Sequence, residues 1–290
     1  MKKFKILIPI YNDWKSVFKL LEIIDTKISN QKHHFSVILI DDASTEPMED
    51  TKINYKNIKS VNIIRMKKNQ GHTRSNATGI KYLSNKKDFD YLIVMDGDGE
   101  DRPEELNLLI EKAINSNTST VAKRIKRSEG LLFTFLYNIH KFITFIFTGK
   151  NMNFGHYCCL TKNDVLLLST KGSLWCNFSS SVKKYIKKLE DIPCIRGARY
   201  VLPSKMSFTN LIIHSFSIIA VFRYQVLLRV IIISLLTLFF LEKFYFFVVS
   251  LQISLFLFLV VILVTAKREN KKALDNSTKE VKEIVNIYTT

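Results

Sequence analysis

Residues 91–106 read YLIVMDGDGEDRPEEL. Tyr91 to Met95 is a continuous apolar run, the pattern of a strand buried on both faces. Asp96-Gly97-Asp98-Gly99-Glu100-Asp101 then packs acid and glycine into one turn, and Pro103 suits the first position of a helix that runs to about Asn115. Strand, acidic turn, helix is a unit of a parallel α/β sheet. In such sheets ligands bind beyond the carboxyl ends of the strands.

The flanking sequence repeats the unit. Lys5–Ile10 (KILIPI) and Phe35–Ile40 (FSVILI) are further apolar strands, Val61–Met66 is a weaker one, and helices follow at Asp13 to about Ile28 and at Thr73–Leu83. Asn12-Asp13 is expected to cap the first helix. The second strand also ends in acid, at Asp41-Asp42. Two acidic pairs therefore converge on one sheet edge, inside a chain of 290 residues whose formal net charge is +17. Carboxylates spaced i, i+2 repel one another unless a cation lies between them. Hard oxygen ligands that leave room for phosphates suit Mg²⁺ or Mn²⁺.

The basic excess fits an anionic membrane or phosphorylated substrates. Nucleic acid is not expected as a partner, because no zinc-finger spacing, RNP-type aromatic motif or basic zipper is present. Cys158, Cys159, Cys176 and Cys194 form no C-x-x-C pair and read as buried reduced thiols, with adjacent Cys158 and Cys159 on opposite faces of a strand. Lys2-Lys3 precedes only a short apolar run, so no secretory leader is expected.

Residues 244–266 contain no charge and exceed the ~20 residues that cross a bilayer. Residues 221–241 form a second apolar stretch, with Arg229 as its awkward member and Glu242-Lys243 as the turn between the two. A two-helix hairpin is expected. Lys267, Arg268, Lys271 and Lys272 come after it, which puts both termini in the cytoplasm. Residues 130–147 and 207–220 read as amphipathic or interfacial helices, and residues 267–290 as a peripheral cytoplasmic polar tail. His140, His156 and His214 read as packing or interface residues.

Seven segments, in order, resemble family 2 glycosyltransferases of the polyprenyl-phosphate branch: IPIYND (8–13), VILIDDAST (37–45), NQGHTRSNATGI (69–80), VMDGDGEDRPEEL (94–106), AKRIKRSEG (122–130), MNFGHYCCLTKNDV (152–165) and RYVLPSKMSF (199–208). The similarity covers roughly residues 4–225. The branch includes dolichyl-phosphate mannose synthases and undecaprenyl-phosphate glycosyltransferases. The resemblance implies a GT-A fold, Rossmann-like and mostly parallel, over residues 1–206.

It implies further that Pro9, Tyr11, Asp41 and Asp42 line a nucleoside site, that Asp96 and Asp98 engage metal and diphosphate, and that Glu100 joins them where the family usually has Gln. Arg124, Arg127, Arg199 and Lys205 would neutralise donor and acceptor phosphates, with Ser204 helping to hold the latter. Leu202 stands where the family has Gly. The implied reaction is inverting, Mg²⁺- or Mn²⁺-dependent transfer from a nucleotide sugar to a polyprenyl phosphate, undecaprenyl phosphate being the expected acceptor, at the cytoplasmic membrane. A homo-oligomer is left open. Two alternatives are a transferase acting on a lipid-linked hydroxyl, with Glu190-Asp191 resembling the base of such enzymes, and an inactive membrane scaffold.

Overall fold

The computed structural model describes residues 1–48, 54–86, 88–126, 131–201 and 207–290. Eight strands form one sheet: β1 (Lys3–Ile10), β2 (His34–Asp41), β3 (Ile58–Met66), β4 (Tyr91–Val94), β5 (Ser119–Lys126), β6 (Phe154–Thr161), β7 (Leu189–Ile195) and β8 (Val281–Thr289). Their spatial order is β7-β5-β6-β4-β1-β2-β3-β8. β1 pairs in parallel with β2 and β4, β2 with β3, and β5 with β7. β6 runs antiparallel between β4 and β5. The apolar runs account for this arrangement: β1, β2 and β4 are covered on both faces and carry their side chains alternately into two cores.

Helix α1 (Trp14–Lys27) and helix α3 (Leu106–Ser116) cover one face, where Leu20, Leu21 and Ile24 meet Leu106 and Leu109. Helices α2 (His72–Ser84), α5 (Lys162–Leu168) and α6 (Phe178–Tyr185) cover the other, through Ala77, Ile80, Val165 and Phe178. Cys159 enters the first core and Cys158 the second, and all four cysteines are buried and free, as their spacing suggests. α2 lies so close to β1 that a Cβ at Gly79 would fall 2.4 Å from the Leu7 side chain.

Four apolar helices obey a different logic: α4 (Leu131–Thr148), α7 (Phe208–Ala220), α8 (Arg223–Leu238) and α9 (Tyr245–Ala266). They share a small core of Ile219, Val226, Val230, Leu255 and Ile262, and leave Phe142, Phe145, Leu228, Leu235, Phe246 and Phe256 exposed. α9 is the one helix among the described residues that is long and apolar enough by itself to cross a membrane. Its 22 residues span about 33 Å. α7 and α8 pass the same measure only together, bent by 82°. α8 stops at Leu238, short of the expected 221–241, because the chain begins to reverse there through hydrogen-bonded turns up to Phe244.

α8 and α9 lie side by side and antiparallel. Arg223 pairs with Glu269 at one end, and Gln252 donates to the Ser234 carbonyl and the Thr237 hydroxyl farther along. Arg229 is explained locally. Its guanidinium donates to the Ile146 carbonyl at 2.7 Å, satisfying a free carbonyl in the last turn of α4.

The expected polar tail is a structural element instead. Residues Lys271–Asn276 form α10, and β8 adds an antiparallel edge strand to β3, from Met66↔Val281 to Ser60↔Thr289. Leu274 is fully buried in the second core. The pairing is reinforced by Arg65–Glu283 at 2.9 Å and by the Tyr288 hydroxyl on the Tyr55 carbonyl. The tail therefore covers an edge that would otherwise be open to strand addition. Leu274→Ala is expected to cost roughly 2–5 kcal/mol, read as a lower thermal midpoint of the full chain in detergent. An unchanged midpoint would mean that the tail lies outside the cooperative unit.

Candidate active site

The parallel strands put their acidic ends along one edge. Asp41 is in register with Ile10, the Asp42 amide donates to the Ile10 carbonyl, and Asp96 follows β4 beside β1. Asp42 is buried and accepts from the Gln70 and Gly71 amides at 2.8 and 2.7 Å. That grip fixes the entry to α2, where Gly71 takes φ +88°, a value a side chain would disfavour. Burial raises the Asp42 carboxyl above its ordinary range, and the two amide hydrogen bonds oppose the shift. Asp41 accepts from the Ser44 amide at 2.9 Å, with Arg65 3.8 Å away. Both acids thus shape backbone. Pro9 lies inside β1 opposite Ile40, and Tyr11 follows the strand with 38% of its surface exposed. Asn12 ties this edge together, accepting from the Thr45 and Glu46 amides.

The acidic turn is held from within and from behind. Asp101 accepts from the Asp96 amide at 2.9 Å, and Asp98 accepts from the Glu100 amide at 2.9 Å. Gly99 has φ +88°, and a Cβ there would strike the Tyr200 ring at 2.5 Å. The segment after β7 lies across the turn: the Gly197 amide donates to the Glu100 carbonyl and the Tyr200 amide to the Asp98 carbonyl. This segment also brings the counter-charges. Arg196 pairs with Glu100, and Arg199 bridges Asp98 at 2.7 Å and Asp13 at 3.5 Å. Asp13 therefore does not cap α1 with its side chain, as the sequence suggests it would. Arg124 on β5 lies 3.8 Å from Asp101.

Asp96 is treated differently from its neighbours. Its Oδ1 lies 2.9 Å from Nε2 of His72, the first residue of α2, and 3.7 Å from Nδ1 of His156 on β6. This oxygen is buried and makes no well-aligned hydrogen bond. Burial would raise the Asp96 carboxyl, but the nearby charges of His72, His156 and Arg124 hold it below the usual range. Asp98 and Asp101 shift upward, first by burial and then by the Asp96 charge. For His72, burial is the largest influence and pulls the imidazole down, but Asp96, Asp98 and Asp101 together outweigh it and raise it. His156 is pushed well below its ordinary value by burial and by His72.

The three acids expected to share a metal do not offer one common cradle. Asp98 and Glu100 each face an arginine, while Asp96 faces two imidazoles. Asp96, His72 and His156 can each offer one donor atom with all three atoms within 4.8 Å. Asp96, Asp98, Arg124 and Arg199 are brought together as the sequence suggests. Arg127, Ser204, Lys205 and Leu202 lie outside the described residues. The sequence pattern does not single out His72 or Arg196, names Asp13 only as a helix cap, and marks His156 only as a packing residue. Glu190 and Asp191 are exposed on β7 and lie 3.0 Å from Lys112 and 3.8 Å from Lys123.

Known proteins resemble this chain in sequence and in fold. Undecaprenyl-phosphate 4-deoxy-4-formamido-L-arabinose transferase of Salmonella choleraesuis (strain SC-B67) is 24% identical over 220 residues, covering 73% of this chain and 65% of the relative. The protein of the same name from Klebsiella pneumoniae (strain 342) is 24% identical over 223 residues, with the same coverage. The chain thus spans about 65% of the length of these curated relatives. Among solved structures, glucosyl-3-phosphoglycerate synthase of Mycobacterium tuberculosis, in complex with Mn²⁺, UDP-glucose and phosphoglyceric acid, superposes with a TM-score of 0.53. Its identity is 12%, over 78% of this chain and 80% of that one, so the likeness is one of fold. Residues 5–166 match the model of glycosyl transferase family 2, and the chain belongs to that family.

Proposed function

We propose that this chain transfers a sugar from a nucleotide-sugar donor to a polyprenyl phosphate at the cytoplasmic face of a membrane. The observation that carries the lipid acceptor is the contact between the acid cluster and the apolar helices. His156, beside Asp96, has its ring 6.5 Å from that of His214 on α7, the helix that leads into α8 and α9. A site against an interfacial helix suits an acceptor whose tail stays in the bilayer. The names of the relatives, which specify undecaprenyl phosphate, point the same way.

A phosphate oxygen of the acceptor attacks the anomeric carbon while the bond to the nucleoside diphosphate breaks. Attack from the opposite face inverts the configuration. The acceptor is already an anion, so no general base is required. The leaving diphosphate takes the electron pair and needs cations around it. Arg199 and Arg124 are assigned to that charge. Arg127, Ser204 and Lys205 are assigned to the diphosphate and the acceptor phosphate on the resemblance alone. Pro9 and Tyr11 are assigned to the nucleoside, with Asp41 and Asp42 holding the backbone that faces it.

A divalent ion such as Mn²⁺ or Mg²⁺, when bound, would supply further positive charge to the diphosphate. The residues fit such an ion at Asp96, whose buried Oδ1 lacks an aligned donor. Asp98 and Glu100 would first have to release Arg199 and Arg196. The hydroxyl-acceptor alternative is disfavoured because Glu190 and Asp191 are exposed on the edge strand β7, beside Lys112 of α3 and Lys123 of β5.

The topology reading is a two-helix hairpin with both termini in the cytoplasm. It is supported by parity: β8, after the apolar helices, pairs with β3, before them. A chain that leaves and rejoins one sheet crosses the membrane an even number of times. The basic run Lys267, Arg268, Lys271 and Lys272 agrees with a cytoplasmic return.

Membranes containing the chain, given undecaprenyl phosphate, Mn²⁺ and a panel of labelled nucleotide sugars, are expected to yield one acid-labile labelled glycolipid. Asp98→Asn is expected to lower this transfer at least 100-fold, roughly the cost of losing a group that organises transition-state charge. Label appearing only with hydroxyl-bearing lipid-linked saccharides would overturn the acceptor assignment. For topology, Lys243→Cys is expected to react with an impermeant maleimide added outside spheroplasts, and Asn286→Cys only after lysis. Equal labelling of both from outside would contradict the hairpin.

A further inference from the structure

The geometry points to a transition-metal site formed by His72, Asp96 and His156, a two-imidazole, one-carboxylate set that selects Mn²⁺, Co²⁺ or Zn²⁺ over Mg²⁺. It rests on the transferase reading only for the remaining ligands, the oxygens of a diphosphate. The ligand triad itself stands on the structure.

Three separate elements deliver the donors, and each is braced. Asp96 follows β4, with its amide tied to the Asp101 carboxylate. His72 opens α2, and the entry to that helix is clamped by Asp42 on the Gln70 and Gly71 amides. His156 projects from β6, with its ring 5.3 Å from that of Phe178 and edge-on to that of His72 at 4.4 Å. Nitrogen and oxygen donors about 2.0–2.2 Å from a metal lie about 3–4 Å from one another. The distances here are 2.9 Å for His72 Nε2 to Asp96 Oδ1 and 3.7 Å for His156 Nδ1 to the same oxygen. All three donor atoms lie within 4.8 Å of one another, so side-chain adjustments on the order of an ångström would seat an ion.

The surroundings are consistent with that purpose. Neighbouring acids already have their own cations: Glu100 has Arg196, Asp98 has Arg199, and Asp101 has Arg124 nearby. Asp96 alone in the turn is left to two imidazoles, and its Oδ1 is buried without an aligned hydrogen bond. His156 is 12% exposed at its side chain and His72 is 38% exposed, so the site is walled on one side and open on the other. Three protein ligands and an open side is the arrangement that leaves positions for water or substrate oxygens. Imidazole suits first-row transition metals, whereas Mg²⁺ prefers oxygen and gives up water reluctantly.

The test is metal binding by the full chain in detergent, stripped with EDTA and free of nucleotide. One equivalent of Mn²⁺ or Co²⁺ is expected to bind, with Co²⁺ giving the visible absorption of a nitrogen-containing site, and tenfold excess Mg²⁺ is not expected to displace it. His72→Ala and His156→Ala are expected to weaken binding by at least about tenfold, with His156→Gln as a variant of similar volume. Unfolding midpoints of the variants establish that they fold. Asp98→Asn is expected to change the affinity less than about threefold, since Asp98 lies outside the triad.

Absence of binding would overturn the triad, leaving His72–Asp96 as a plain ion pair. So would binding lost in Asp98→Asn or Glu100→Gln but kept in the histidine variants. Histidine-dependent binding together with failed sugar transfer would uphold the site and refute the transferase reading instead.

Discussion

The mutual repulsion of carboxylates at the end of β4 is the constraint around which the rest of the molecule is arranged. Asp96, Asp98, Glu100 and Asp101 fall within six consecutive positions of a largely buried turn. Unpaired buried charge is too costly to keep. The fold therefore draws compensation from distant sequence: Arg124 from β5, and Arg196 and Arg199 from the segment after β7. Placing those arginines requires β5, β6 and β7 to extend the sheet beyond the parallel half, and Gly99 to admit the Tyr200 ring. The acid that raises the puzzle of a basic chain is thus also the point where its two halves meet.

The same pairing of charge explains the apolar helices. Arg229 closes the end of α4, and Arg223 with Glu269 closes the base of the α8–α9 pair. α6 meets the end of α7 through the Ser180 hydroxyl on the Ile218 carbonyl and the Lys184 ammonium on the Val221 carbonyl. These contacts hold α7 against the helices that cover the sheet, so the acidic edge and the apolar surface adjoin one another. β8 then returns the chain to the sheet it left.

Elements are legible in the sequence where they leave a period or an unbroken run. The buried parallel strands are readable as uninterrupted apolar segments, and the acidic strand ends mark the edge where Asp41, Asp42 and Asp96 converge. Less is legible where the cause is long-range. β8 (VKEIVNIYT) is half polar and mostly exposed on an edge, so its pairing with β3 leaves no clear pattern. His72 carries no periodic signal. Its importance comes from lying across from Asp96, which only the parallel register of β1, β2 and β4 establishes. Glu100 reads as a metal ligand by position in a motif, yet its partner is Arg196, 96 residues away. The extent of α8 is misjudged because Phe239–Leu241 is as apolar as the helix itself, and only the need to reverse direction ends it.

The central claim is that Asp96 is the acid reserved for a cation, with imidazole rather than carboxylate beside it. X-ray absorption at the metal edge of the Mn²⁺- or Zn²⁺-loaded protein reads that ligand shell directly. Two imidazole nitrogens and at least one oxygen are expected at about 2.0–2.2 Å, with the multiple-scattering signature of histidine. A shell made only of oxygens would contradict the claim and return the metal to Asp98 and Glu100.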